Sequence, residues 1–298
     1  MMNGKTILQR LKNESRNKKL SYQFILQLFC QEEFLRRLSY SKHKNSLILK
    51  GGLFLFAFNN LEGRPTMDID FLGSNISNDT DEMKVMIDDI IKTKTDNSFI
   101  DLQVKSVERI TEQKEYPGIR LKVLAKFLNT RTPFDIDIGI GDVVVPQIDS
   151  INIPTQLGSF DSPNVRSYTL ESTIAEKLEA MFSRMEATSR MKDYYDIYYL
   201  LTRYDLDGEI LSEAIYETFK NRQTECTVGS LERISRIYEN DEMIRRWSVF
   251  TKKTLGIELP FNEVVEGIIA FVREPIQSIE KSEYIKKRWN HVNRKYME

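Results

Sequence analysis

Two short acidic runs carry the clearest chemistry in this 298-residue chain: Met67-Asp68-Ile69-Asp70-Phe71-Leu72 and Phe134-Asp135-Ile136-Asp137-Ile138. Each alternates polar and apolar residues, as a strand buried on one face does. A period of two puts Asp68 and Asp70 on the same face, and likewise Asp135 and Asp137. Neighbouring carboxylates repel unless a cation lies between them. Mg²⁺ is commonly held by one or two carboxylates together with substrate phosphates. If the two strands are neighbours, up to four carboxylates converge, and three suffice for metal-assisted phosphoryl or nucleotidyl transfer. On an exposed strand the same pattern only keeps the surface soluble. Spacing alone does not choose between Asp135 and Asp137.

A second feature precedes the first run. Lys50-Gly51-Gly52 is a turn signal followed by the apolar stretch Leu53 to Phe58, long enough for a short buried helix. Glycines let backbone approach phosphates closely, and a helix N-terminus favours anions. A short helix and a return turn at Gly63-Arg64-Pro65-Thr66 would bring the chain back to the same edge.

The elements that must position these residues follow from periodicity. Residues 5–40 read as helical, with Ile25, Leu26, Leu28, Phe29, Phe34 and Leu35 near a 3.6 period. Ser46-Leu47-Ile48-Leu49 follows, before the glycines. Asp79 to Lys92 reads as a helix that Asp79, Thr80 or Asp81 could cap, with a stripe of Met83, Met86, Ile87, Ile90 and Ile91. Three strand-like runs follow, 102–110, 119–127 and 134–140. Turn chemistry at Tyr116-Pro117-Gly118 and at residues 129–133 separates them. Residues 145–163, rich in Pro, Gly, Ser and Asn, read as a loop at a domain edge. From Leu170 the pattern turns helical: 170–187, 192–203, 208–220, 229–238, 242–255, 262–271 and 279–295. This predicts an α+β region with a helical C-terminal domain, divided as residues 1–165 and 166–298.

Composition narrows the classes. With 41% hydrophobic and 29% charged residues, the chain reads as globular rather than disordered. No apolar run approaches the roughly 18–20 residues of a membrane span, and the polar N-terminus does not read as a secretory signal. Cys30 and Cys226 are too far apart to suggest a disulfide framework or a zinc pattern, which points to the cytoplasm. His43 and His291 are too few for a His-based metal site. A net charge of −1 gives no bulk argument for nucleic acid. The basic tail, Lys286-Lys287-Arg288 and His291 to Lys295, is either a local anionic-partner patch or a solvated helix end.

Four motifs in order resemble the nucleotidyltransferase-like AbiEii/AbiGii toxin family, within the DNA polymerase β-like nucleotidyltransferase superfamily. They are Lys50-Gly51-Gly52 through Arg64-Pro65-Thr66-Met67-Asp68-Ile69-Asp70; Asp137 to Asp142; Tyr168 to Ala180; and Arg190 to Asp196. The resemblance covers residues 45–203. It implies a polymerase β-like core of mixed sheet and flanking helices, and NMP transfer from an NTP with Mg²⁺ or Mn²⁺. Asp68 and Asp70 would hold metal, and Asp137 would be the third carboxylate and help activate the acceptor hydroxyl. Gly51, Gly52, Arg64, Thr66 and Lys177 would meet the nucleotide, and Asp193 would be a further essential acid. The resemblance also implies a toxin of a bacterial toxin–antitoxin or phage-defence pair, with tRNA or another RNA as acceptor and an antitoxin that need not bind stably. A protein acceptor and a non-catalytic nucleotide-binding module on the same fold are the alternatives.

Read without the family, Lys177 lies at the edge of the Ile174, Leu178, Met181 stripe, where a lysine snorkels. Asp193 and Asp196 stand where carboxylates favour a helix dipole. Tyr194, Tyr195, Tyr198 and Tyr199 read as packing residues that could also stack on a base. One departure stands out: many superfamily members carry serine after the glycines, and this chain has Leu53.

Overall fold

The computed structural model describes residues 3–110, 118–185, 190–283 and 285–298. The helical region at the N-terminus is two helices, α1 (Gly4–Asn17) and α2 (Tyr22–Tyr40). Lys19, with φ 55°, turns the chain between them, and Ser21 caps α2 through the Phe24 amide. Then come β1 (Leu47–Lys50), α3 (Gly51–Phe58), β2 (Ile69–Gly73) and α4 (Thr80–Lys92). Of the three residues that could cap α4, Asp79 does so, accepting from the amides of Asp81 and Glu82. Three long strands follow, β3 (Ile100–Ile110), β4 (Gly118–Phe127) and β5 (Thr130–Ile140). Tyr116 and Pro117 of the expected turn lie outside the described residues. The stretch read as a loop, 145–163, contains a short strand, β6 (Asp149–Asn152), which pairs with β7 (Asn164–Ser167).

These strands form one mixed sheet in the order β3-β4-β5-β2-β1-β7-β6. The β2–β5 and β1–β7 pairs are parallel, and the other adjacent pairs are antiparallel. Leu49, Phe71, Ile138 and Ile119 are successive register partners and all buried, so one row of the sheet is continuous core. Phe34 of α2 meets Phe71 at a ring distance of 6.2 Å. With α1–α4, this sheet makes the first of two compact units, Met1–Asp142 with Ile148–Tyr168.

The second unit comprises Val143–Gln147 and Thr169–Glu298. Its helices are α5 (Leu170–Arg184), α6 (Met191–Leu201), α7 (Gly208–Asn221), α8 (Val228–Ser235), α9 (Asp241–Phe250) and α10 (Phe261–Lys281). Ala187, the expected end of α5, lies outside the described residues. The helix expected over 279–295 does not form. After α10 ends at Ser282 in the left-handed region, β9 (Arg288–Asn290) and β10 (Lys295–Met297) build a hairpin against β8 (Leu206–Asp207). The reason is a period of two hidden among charges. Trp289 and Tyr296 are register partners, both buried against Phe271, while Arg288 and Lys295 face out. The Trp289 indole donates to the Leu201 carbonyl at 2.7 Å.

Helix α2 carries a buried ionic network in the first unit. Arg36 bonds Glu32 and Glu33 at 2.5 and 2.7 Å, and Arg37 bonds Glu33 at 2.7 Å. Arg36 also donates to the Asp161 carbonyl, and Arg37 to the carbonyls of Ile91 and Ile100. Burial is the larger influence on Glu32 and pushes its carboxyl up to about 7, against the opposing pull of Arg36. The folded state therefore keeps a proton on Glu32 up to about pH 7, whereas the unfolded chain releases it near its ordinary value of 4.5. In that window the folded state binds more protons, so stability falls as pH rises through it and is level above it. We expect Glu32 to lower unfolding free energy by up to about 3 kcal/mol between pH 4.5 and 7.5. Denaturant titrations at several pH values check this: the slope should flatten in Glu32→Gln, and an unchanged slope would refute it.

Candidate active site

The approach to the first acidic strand is fixed by α2. Gln27 and Gln31, both buried, donate to the Met67 carbonyl at 2.6 and 2.7 Å. The strand begins two residues later than its alternation predicts, so Asp68 stands just before β2 and is exposed, while Asp70 lies within it and is half-buried. Because β2 and β5 run parallel, Asp70 is the register partner of Asp137. The row continues on both sides: Lys50 of β1 is opposite Asp70, and Arg120 of β4 is opposite Asp137. Register partners share a face, so four strands present the sequence Lys50, Asp70, Asp137, Arg120. The choice that spacing left open is resolved for proximity: Asp137, not Asp135, is opposite Asp70.

Arg120 holds Asp137 with a two-point fork, Nε to Oδ1 at 2.7 Å and Nη2 to Oδ2 at 2.6 Å. These bonds drive the guanidinium still further above its ordinary range, opposed by partial burial and reinforced by the charges of Asp137, Asp135 and Asp68. All four predicted carboxylates thus bear on one region. Lys50 donates to Asp142 at 3.0 Å, with both side chains largely buried, and its ammonium lies 5.4 Å from the centre of the Tyr168 ring. A Cβ at Gly139 would come within 3.7 Å of that ammonium, so the glycine leaves room for the lysine to reach across β2.

The glycine pair opens α3 directly rather than forming a separate turn. Gly51 has φ +68°, and a Cβ there would run into the Asp70 carboxylate. A Cβ at Gly52 would meet Thr66 Oγ1 at 2.6 Å and the Arg64 guanidinium at 3.4 Å. Gly51, Gly52, Arg64, Thr66 and Asp70 are therefore brought together, with the first turn of a helix against the carboxylate. Leu53 is buried, so no side chain from that position reaches the surface where a serine hydroxyl would act.

The donor set suits a hard divalent cation in a limited way. Among the described residues no three His, Cys, Asp or Glu side chains form a ready cage. Two facing carboxylates with Asp68 beside them fit an ion that takes its remaining ligands from water and substrate phosphate.

Lys177 and Asp193 occur in the second unit. Lys177, expected at a core edge, is buried and donates to Asp193 at 2.9 Å and approaches Asp196 at 2.7 Å. Arg190 pairs with the other oxygen of Asp193 at 2.8 Å. The two cations and two anions balance, which is the condition for burying charge. Arg120 was not recognised in the sequence as a site residue. Its only signal is its place on the hairpin partner of the second acidic run, and that needs the β4–β5 register. Lys50, Asp142 and Asp196 stood in the quoted motifs without a role.

The family model for the AbiEii nucleotidyl transferase toxin of type IV toxin–antitoxin systems matches residues 33–267. No curated protein matches the sequence. A Helicobacter pylori protein assigned as a nucleotidyltransferase shares the fold at a TM-score of 0.52 and 14% identity, covering 89% of this chain and 100% of its own. JHP933 from Helicobacter pylori matches at a TM-score of 0.50 and 14% identity, over 88% and 96% of the two chains. At that identity the likeness is one of fold.

Two outcomes follow from these contacts. Gly51→Ala should lower stability by roughly 1–3 kcal/mol through the left-handed φ and the clash with Asp70. A denaturant midpoint unmoved by the substitution would contradict the close approach. Lys177→Met leaves Asp193 and Asp196 buried together and should cost about 3–5 kcal/mol. Thermal unfolding should then recover most of that loss in Lys177→Met/Asp193→Asn/Asp196→Asn.

Proposed function

Because the chain belongs to the AbiEii nucleotidyl transferase toxin family of type IV toxin–antitoxin systems, we propose that it transfers an NMP from an NTP to an RNA acceptor, tRNA foremost, in the cytoplasm. The observation that supports this most is the facing pair Asp70 and Asp137 on parallel strands, beside the Gly51-Gly52 helix start. In the proposed reaction the acceptor hydroxyl oxygen forms a bond to the α-phosphorus. The bond from that phosphorus to the bridging oxygen breaks, and pyrophosphate leaves with the electron pair. Asp137 takes the hydroxyl proton, and Asp68 and Asp70 are the residues that would hold Mg²⁺ with it. Bound there, the ion would neutralise charge on the attacking and leaving oxygens. Backbone N–H groups at Gly51 and Gly52, with Arg64 and Thr66, orient the phosphates, since Leu53 offers no hydroxyl. The family resemblance also implies that Lys177 contacts the nucleotide phosphates and that Asp193 is a further essential acid. A cognate antitoxin belongs with such a toxin, and we expect no stable complex between them.

The test is incubation with each α-labelled NTP, Mg²⁺ and total RNA or protein. Wild type should label RNA, with the signal reduced on the order of a hundredfold or more in Asp70→Asn and Asp137→Asn. Growth on induced expression should recover in the same variants. Label on protein would redirect the acceptor. Absent transfer, together with equal toxicity of wild type and variants, would favour a non-catalytic module instead.

A further inference from the structure

Arg120 is positioned to do more than balance charge. It lies on the same face as the carboxylate pair, as register partner of Asp137, and its fork engages both Asp137 oxygens. Its side chain is 41% exposed, against 20% for Asp137, so the guanidinium end can swing toward solvent without opening the core. Lys122, the next residue of β4 on that face, is opposite Asp135 but reaches back to Glu108 at 3.5 Å. The guanidinium is thus the cation that β4 commits to the pair.

We propose that Arg120 is a positioning residue that couples cation binding to nucleotide binding. This rests on the nucleotidyltransferase reading above. Without nucleotide, Arg120 occupies Asp137, and a divalent ion must compete with a two-point, charge-assisted contact. When a nucleotide arrives, its phosphates offer the planar guanidinium an alternative anionic partner that also accepts two N–H bonds. Arg120 then leaves Asp137 to the ion and holds phosphate instead. The fork makes the two ligands arrive together.

The experiment measures Mn²⁺ affinity by electron paramagnetic resonance of the free ion, with and without each of the four non-hydrolysable α,β-methylene NTPs. Wild type, Arg120→Ala, Arg120→Lys and Asp70→Asn are compared, with circular dichroism verifying folding. Wild type should bind Mn²⁺ weakly alone and much more tightly with one analogue. Arg120→Ala should bind Mn²⁺ alone roughly tenfold more tightly, while its affinity for the analogue falls, so the coupling shrinks. Arg120→Lys, which keeps the charge but not the fork, should also lose coupling. If Asp70-dependent Mn²⁺ binding is present but its coupling is the same in wild type and both Arg120 variants, the Arg120 proposal is overturned while the nucleotidyltransferase reading stands. If Arg120→Lys behaves as wild type, charge alone is at work and the fork is refuted. If wild type binds no Mn²⁺ under any condition, both readings fall.

Discussion

Two carboxylates opposite each other on adjacent strands repel, and much of the first unit serves to keep Asp70 and Asp137 there nonetheless. Parallel pairing of β2 with β5 imposes the opposition, and the flanking strands supply Lys50 and Arg120 in the same row. A cation stands at each end of the row: Arg120 compensates Asp137 directly, while the Lys50 ammonium reaches on to Asp142. The neighbouring row of Leu49, Phe71, Ile138 and Ile119 is core, so a one-residue slip of either strand would bury the acids and expose the apolar residues. The register is thus enforced by hydrophobic burial, and the charged row inherits its accuracy.

The backing of that sheet is stiffened by a different device. Helix α2 buries Glu32, Glu33, Arg36 and Arg37, and their bonds reach carbonyls at Ile91, Ile100 and Asp161. Such carbonyls would be costly if left unpaired. Ion pairs of this kind add little net stability compared with apolar packing, because desolvation offsets the attraction. Their effect here is geometric: one helix fixes three chain segments, while Gln27 and Gln31 on the same helix fix the carbonyl that precedes Asp68.

What could be read beforehand divides by how local each signal is. The acidic strands, the cap on α4 and most helices are local patterns and were legible. The final hairpin was not, because Lys286 to Lys295 supplies charges that suit a solvated helix, and the deciding fact is that Trp289 and Tyr296 meet across two strands. Strands β6 and β7 are four residues each and lie in or beside a turn-rich stretch, too short for alternation to register. The α2 ions resembled any charges between apolar residues, since nothing local distinguishes a buried arginine from an exposed one. Among site residues, the glycines and aspartates were visible by type and spacing. Arg120 was invisible because its meaning lies in a cross-strand partner, and the partners of Lys177 required the packing of α5 on α6.

That distinction also bears on charge. A net charge of −1 gave no bulk case for an anionic substrate, but a triphosphate does not sample the net charge of a 298-residue chain. Beyond a Debye length of about 8 Å the rest of the surface is largely screened. On the proposed reading, what it would meet is a row in which Arg120 already compensates Asp137. Adding a divalent ion to an uncompensated acidic pair would relieve repulsion outright. Adding it to a compensated pair is an exchange, favourable only if the displaced guanidinium gains an anion elsewhere. A nucleotide would bring that anion with it, so on the proposed reading a compensated carboxylate need not make a weaker site than a free one; it would make a site that responds to the ion and the phosphate jointly.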